Sequence, residues 1–550
     1  MSHFVARGSR PGRILRTALV AACLFALTAC SGLLPRNTFG ESADSTGGIQ
    51  IATLRPNQTA ALKPFYDQKL AWAPCHRTLQ CATVRVPVDW QHVTAESISL
   101  ALVRHSARGA SLGDLLVNPG GPGGSGVDFV VSGVDGVVDS AIAKHYDIIG
   151  FDPRGVGASA PVTCFDSAGT DRYFYGIDPG PIGSDAWVAA QKAKAASLAE
   201  ACEKGTGPVL GHIDTINAAT DMDVIRAALG QPKLNFLGYS YGTYLGTIYA
   251  GLFPGRVGKM VLDGAYDPWG DNYSPSLPSD TSDDFGVDPK SDAVVEQAVG
   301  FEDALSSYLE SCLTNVTATV GFLQCPFQTS LSKSKTKVEG FLSEAAAKPL
   351  VASDGRLMGD MSLATAINDA LYDPSDWPQL TRMFSQLQDR DPSVAFEFAD
   401  DYNGRNPDGT YDDNADLAQL AINCLEAGPG VDLKFDGREA TELRKLAPVL
   451  GIYSAYTDLA CSGWKYGPSP FPNPVHATGA GAILVVGTTG DPATPYVDAQ
   501  NLAKQLDGGH LVTFHGEGHT AYNRNDPCID NTVDAYLLNF TVPFTDPSCH

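Results

Sequence analysis

Basic residues are scarce in this sequence of 550 residues: 38 Lys and Arg stand against 62 Asp and Glu, a formal net charge of -24. A chain so acidic repels polyanions, which argues against nucleic acid and anionic membrane surfaces as partners. Long apolar runs are missing too; past the N-terminus no stretch approaches the roughly 18 residues that a bilayer span requires. The 12 cysteines include no Cys-x-x-Cys pair or other metal-ligand spacing, which argues against zinc sites and redox dithiols. No Gly-Lys-Ser/Thr follows a glycine-rich stretch, so a phosphate-binding P-loop is disfavoured. Nothing in the pattern calls for a metal or an organic cofactor.

What is present is a globular composition, 43% hydrophobic and 9% aromatic, in a chain long enough for one large core or a core with an inserted domain. The first residues differ from the rest. Arg7, Arg10, Arg13 and Arg16 precede the apolar run TALVAACLFALTAC, a basic segment and a hydrophobic segment too short to remain as a membrane helix. The closing Leu27-Thr28-Ala29-Cys30 resembles the bacterial lipobox, in which Cys30 is diacylated and becomes the first residue of the mature chain; the alternative is an ordinary secretory signal cut nearby. Both take the protein out of the cytoplasm, to the outer face of the cytoplasmic membrane by its N-terminal lipid alone, or shed from it. With Cys23 and Cys30 removed, an even set of cysteines remains, as five disulfides in an oxidising compartment require. Pairing of sequential neighbours is expected: 75 with 81, 164 with 202, 312 with 325, 424 with 461, 528 with 549.

The chain is organised around Lys233 to Phe253. An apolar strand, Leu234 to Leu237, runs into Gly238-Tyr239-Ser240-Tyr241-Gly242 and then into a helix of small and apolar residues. This is the strand, sharp turn and helix of a GxSxG nucleophile elbow, with the glycines omitting β-carbons that would collide across the turn. Upstream, strands at Thr83 to Val88 and Ile98 to Val103 precede a third, Leu115 to Val117, which opens into Asn118-Pro119-Gly120-Gly121-Pro122-Gly123-Gly124-Ser125-Gly126. Such a loop presents backbone N–H groups, and its place after the third strand is where this kind of hydrolase keeps an oxyanion donor. Further strands are expected at Tyr146 to Phe151 and Lys259 to Leu262. Arg154 and Asp152, in the turn after the first of these, read as braces for neighbouring loops.

From Trp269 to Pro474 the strand pattern gives way to helical periodicity, an insert that reads as a cap over an active site. Strand grammar resumes at Ala482 to Val486, followed by Gly490-Asp491-Pro492. A carboxylate just past a late parallel strand is where the acid that orients a histidine belongs. Thr494, three residues on, is placed to fix the Asp491 rotamer. After the last strand, His510 to Phe514, His519 lies on a glycine-rich loop, with His515 as its competitor. The order Ser240, Asp491, His519 is that of α/β-hydrolases. The reading is therefore α/β: an α/β-hydrolase fold, a mostly parallel sheet with helices on both faces and a large helical cap between late strands. The divisions are a signal segment (1–30), a tether (31–65), the first part of the core (66–268), the cap (269–474) and the second part of the core (475–550).

Taken together, NPGGPGGSG, DPRGVGAS, GYSYGTYLGTIYA, VLDGAYDP, GDPATP and GEGHTAY resemble the secreted tripeptidyl aminopeptidases of actinobacteria and the related mycobacterial lipoprotein serine hydrolases, near the proline iminopeptidase group. The resemblance implies Ser240 as nucleophile, His519 as general base, Asp491 as orienting acid, and the N–H groups of Gly121 and Tyr241 as oxyanion donors. Pro119 stands where the iminopeptidases' loop has a histidine, a departure in that loop. The resemblance also implies release of short units from free peptide N-termini, for which a carboxylate must receive the α-ammonium group. Glu426 is the candidate, held in the cap by the expected disulfide at Cys424. The partners expected are a peptide or protein substrate and no second subunit. A carboxylesterase, an endopeptidase of envelope proteins and a non-catalytic envelope binding protein are the alternatives.

Overall fold

The structure, a computed structural model, describes residues 56–93, 96–267, 293–314, 324–327, 330–428, 433–469 and 474–550. The signal segment, Cys30 and most of the expected tether lie outside these residues. The strands are β1 (Ala73–Cys75), β2 (Leu79–Pro87), β3 (Ser97–His105), β4 (Asp114–Asn118), β5 (Asp147–Phe151), β6 (Leu234–Tyr239), β7 (Val257–Asp263), the short pair β8 (Leu350–Val351) and β9 (Leu357–Met358), and β10 (Ile483–Gly490), β11 (Gly509–Glu517) and β12 (Ser548–Cys549). Ten of them form one sheet in the order β1-β2-β3-β5-β4-β6-β7-β10-β11-β12. The edge from β1 to β3 is antiparallel, as is the β3–β5 pair. From β5 onward every pair is parallel.

Period-two alternation explains why these segments are buried strands. Leu116, Ile149, Phe236, Met260, Ile483 and Val485 line one face of the sheet, while Leu115, Val117, Ile148, Leu237, Val261, Leu484 and Val486 line the other. Because both sets are apolar, the central strands read as unbroken hydrophobic runs and must be covered on both sides. Helices Thr215–Ala228 and Tyr241–Leu252 supply one cover and Pro527–Asn539 belongs to the other. The helix Pro56–Tyr66 covers the end of the stretch read as a tether and runs into the core, and its Phe65 is buried against the first face.

Between β7 and β10 the described chain is helical apart from the β8–β9 hairpin, with helices Ala293–Thr314, Leu331–Ala347, Asp360–Leu371, Trp377–Gln388, Ser393–Tyr402, Ala415–Ala427 and Leu433–Leu446. The first four of these pack around Leu305, Leu309, Val338, Leu363, Ile367, Met383 and Phe384, a core separate from the sheet's own. Helix Ala415–Ala427 instead buries Leu420, Ala421 and Ile422 against Val156, Val162, Leu198 and Ile213. That second surface belongs to a long excursion after β5, containing helices Ser167–Tyr175 and Asp185–Thr206 that the sequence pattern did not single out. The five disulfides join the sequential neighbours expected: 75–81, 164–202, 312–325, 424–461 and 528–549. Among the described residues no helix is long and apolar enough to cross a membrane.

Candidate active site

The segments singled out in the sequence leave the sheet at one end, the carboxyl end of its parallel strands, where α/β folds place their sites. Ser240 follows β6 with φ 55° and ψ -127°, a conformation L-residues avoid and that neighbouring bonds must hold. Its N–H donates to the Asp263 carbonyl at 2.9 Å and its own carbonyl accepts from Thr243 N at 2.8 Å. A β-carbon at position 238 would lie 2.4 Å from the Gly242 carbonyl oxygen, so the flanking glycine is required by the turn.

Asp491 follows β10 and His519 follows β11. Both carboxylate oxygens of Asp491 lie 2.9 Å from His519 Nδ1, and the two side chains are buried. The carboxylate is itself fixed: Oδ1 accepts from Ala493 N and Thr494 N, each at 2.9 Å, and Oδ2 from Thr520 N at 3.2 Å. Thr494 Oγ1 donates to Asp491 Oδ2 at 3.1 Å and lies 3.4 Å from His519 Nδ1. His519 Nε2 is buried and has no hydrogen-bond partner among the described residues. His515 stands elsewhere; it is exposed, bonds Ser548 Oγ at 2.8 Å and stacks on His550 with ring centroids 4.4 Å apart.

The glycine-rich loop after β4 closes over the elbow. A β-carbon on Gly120 would meet Ser240 Cβ at 2.9 Å and Tyr241 N at 3.1 Å, so only glycine permits this approach. Gly120 N donates to Asn118 Oδ1 at 3.1 Å and Gly124 N to the Gly120 carbonyl at 3.1 Å, a turn that brackets Gly121. Tyr241 begins its helix, so its N–H is one of the donors a helix leaves without an internal acceptor.

Glu426, in the cap, is buried and accepts from Thr215 N at 2.7 Å. Thr215 Oγ1 in turn bonds the Tyr241 hydroxyl at 2.6 Å. Burial above all, and then the Asp214 carboxylate, push Glu426 up to about 7.

With this geometry in place, comparison with known proteins gives a consistent result. A family model described as "TAP-like protein" matches residues 447–549, and one described as "alpha/beta hydrolase fold" matches 115–293. Serine protease Hip1 of Mycobacterium tuberculosis is 34% identical over 509 residues, covering 88% of this chain and 92% of that protein. Carboxylesterase B of the same organism is 37% identical over 502 residues, covering 88% and 91%. Tripeptidyl aminopeptidase of Streptomyces lividans is 31% identical over 554 residues, covering 98% and 96%. The chain belongs to the TAP-like family of α/β-hydrolases. It is a serine hydrolase.

Several residues of this TAP-like hydrolase around the site carry no sequence motif. Tyr372, from the cap, accepts the His519 N–H on its carbonyl at 2.8 Å and sets its ring edge-on to the imidazole, centroids 5.5 Å apart. Arg524 donates to the His519 carbonyl at 3.1 Å and pairs with Asp373 of the cap at 3.0 Å. The cap thus touches the histidine loop directly. Arg154 and Asp152 are braces, as the sequence suggests: the Arg154 guanidinium is fully buried on Asp221 at 2.6 and 2.7 Å, and Asp152 accepts from Ser125 Oγ at 2.6 Å and Ala158 N at 2.9 Å.

Thr494 gives a direct test. Thr494→Val removes one donor to Asp491 but leaves three backbone N–H donors, so the expected loss is near the low end for a hydrogen bond to a charge, about 1.5 kcal/mol. The expected result is a kcat roughly tenfold lower with KM little changed, read by steady-state kinetics; full turnover would remove the role.

Proposed function

We propose that this serine hydrolase is an aminopeptidase that releases short, tripeptide-type units from free peptide N-termini through an acyl-enzyme, with Ser240, His519 and Asp491 as its catalytic triad. In this reading His519 Nε2 takes the Ser240 proton as Oγ attacks the scissile carbonyl. Asp491 holds Nδ1 protonated and steadies the imidazolium that forms. The N–H groups of Gly121 and Tyr241 receive the negative charge that develops on the carbonyl oxygen. His519 then gives its proton to the leaving amine, and water, activated by the same base, releases the acyl group.

The observation that carries the N-terminal preference is the buried pair Glu426 and Asp214 beside Tyr241, the residue after the nucleophile. Neither carboxylate pairs with a Lys or Arg among the described residues, whereas buried charges ordinarily have a partner. A substrate α-ammonium would supply the missing cation. Tyr241, the residue after Ser240, is linked to Glu426 through Thr215 by two hydrogen bonds.

The sign of the pH dependence follows. Glu426, raised to about 7, becomes the anion that binds ammonium only as pH rises through that value. The substrate amine loses its proton near pH 8. Preference for a free over an acetylated tripeptide anilide is therefore expected to peak between about pH 7 and 8, and Glu426→Gln is expected to flatten it. Kinetics of the two anilides across this range check it; an undiminished preference in the variant would remove Glu426 from the reading. One relative, at 37% identity, bears the name carboxylesterase, which supports a second reading as an esterase. Turnover of a short p-nitrophenyl ester with neither anilide cleaved would favour it. Export and a lipid on Cys30 are part of the proposal, supported by the N-terminal segment and by five disulfides, which persist in oxidising compartments.

A further inference from the structure

Strand β7, between the strand that carries Ser240 and the one that leads to Asp491, ends in a carboxylate to which the chemistry above assigns no part. Asp263 is wholly buried. Its main-chain oxygen takes the Ser240 N–H at 2.9 Å. Its side chain reaches the other way: Ala521 N donates to both carboxylate oxygens, at 3.0 and 3.2 Å, and Tyr522 N donates to Oδ2 at 2.9 Å. One residue therefore ties the nucleophile's backbone to the turn that follows the histidine. The next residue, Gly264, carries the imidazole on its bare Cα, since a β-carbon there would stand 3.1 Å from His519 Cε1 and 2.9 Å from Thr520 Cγ2.

We propose that Asp263 is a positioning residue for the general base, fixing the Thr520–Tyr522 turn that aims His519 at Ser240 and placing a second negative charge beside the imidazole to favour the imidazolium formed during the reaction. The inference rests on the triad reading above. A neutral amide could not replace the carboxylate. Asparagine has one acceptor oxygen, and its NH₂ group would confront a backbone N–H.

Among the described residues the charged and titratable groups around Asp263 lie on three elements, with Tyr522 itself in the turn it holds. His519 and Arg524 lie on the loop it holds, Tyr239 on β6 feels its charge, and Asp491 after β10 accepts the neighbouring Thr520 N–H. Burial raises the Asp263 carboxyl to about 6, against the lowering effects of the two amide donors, Arg524 and His519. The group is thus charged at neutral pH and loses its charge as pH falls through about 6, releasing its grip on the turn. The acid limb of wild-type kcat/KM should accordingly steepen by one proton, that of Asp263, below that point.

The test uses the mature protein with a tripeptide p-nitroanilide as substrate. Asp263→Asn is expected to lower kcat about 10- to 100-fold, the scale of a misplaced catalytic group, with KM within twofold. Its acid limb should lack the Asp263 proton and fall one proton less steeply than that of wild type. A kcat within threefold of wild type would overturn the proposal, and so would a large loss with an acid limb as steep as that of wild type, which describes a merely structural residue. If the variant does not fold by circular dichroism, the wild-type limb decides: a one-proton slope throughout overturns the proposal. Ser240→Ala and His519→Ala, measured alongside, separate this from failure of the triad itself, which retained turnover in either would reveal.

Discussion

Ser240→Ala is expected to lose at least about 10⁴ in turnover, the scale seen when a triad nucleophile is deleted. The reason is local. In the proposed mechanism Ser240 Oγ forms the acyl bond, and no second serine, threonine or cysteine shares the elbow; the hydroxyls of the flanking Tyr239 and Tyr241 are engaged by the Val137 carbonyl and Thr215 Oγ1. Alanine bears the same positive φ at little extra cost, since serine and alanine meet the same β-carbon restriction. The backbone bonds to Asp263 and Thr243 do not involve the side chain, so the fold and KM should persist. Residual rate above water would come from oxyanion donors and substrate binding. Two measurements check this together: steady-state turnover, and covalent labelling by a fluorophosphonate, which should vanish in the variant. Turnover above a hundredth of wild type would sink the assignment.

The second large effect is expected at Asp491. Asp491→Asn should lower kcat roughly 10⁴-fold while leaving the structure standing, as an isosteric change to the orienting acid does elsewhere. Asp491 oxygens accept from His519 Nδ1 and from the N–H groups of Ala493, Thr494 and Thr520, with the Thr494 hydroxyl donating as well. Every neighbour donates. An asparagine must turn its NH₂ towards one of these donors or towards Nδ1. In the latter case the imidazole is pushed into the tautomer with its proton on Nε2, where it cannot take the serine's. Kinetics at several pH values and a thermal melt close to wild type would bear this out. A fall of less than about 100-fold would mean that another group orients His519.

Much of this arrangement was legible because each chemical residue sits just past a strand whose hydrophobic run announces it. Leu234 to Leu237 leads to Ser240, Ala482 to Val486 to Asp491, and His510 to Phe514 towards His519, so order along the chain stood in for proximity. Disulfide neighbours were legible for a similar reason, since each bridge closes a short loop. What stayed hidden is what strand order decides. In sequence Asp263 only follows the expected strand Lys259 to Leu262, inside VLDGAYDP. Only the placement of β7 between β6 and β10 brings its carboxylate under a loop 258 residues away in sequence. Tyr372 and Arg524 are hidden likewise, because the contact between cap and histidine loop is made by two segments whose patterns refer only to their own helices and turns. Nothing in the pattern of Ala421 to Ala427 showed that Glu426 would accept from the first N–H of the helix Thr215–Ala228.

The topology also has a consequence in time. Ser240 and the glycine loop precede the cap in the chain, whereas Asp491 and His519 follow it, and β10 joins β7 in parallel across the whole insert. Contacts so distant along the chain close late. A nascent or truncated molecule ending anywhere in the cap would carry the proposed nucleophile without the proposed base. On the proposed triad, chain order would keep the hydrolase inert until its final strands, sealed by Cys528–Cys549, have been made.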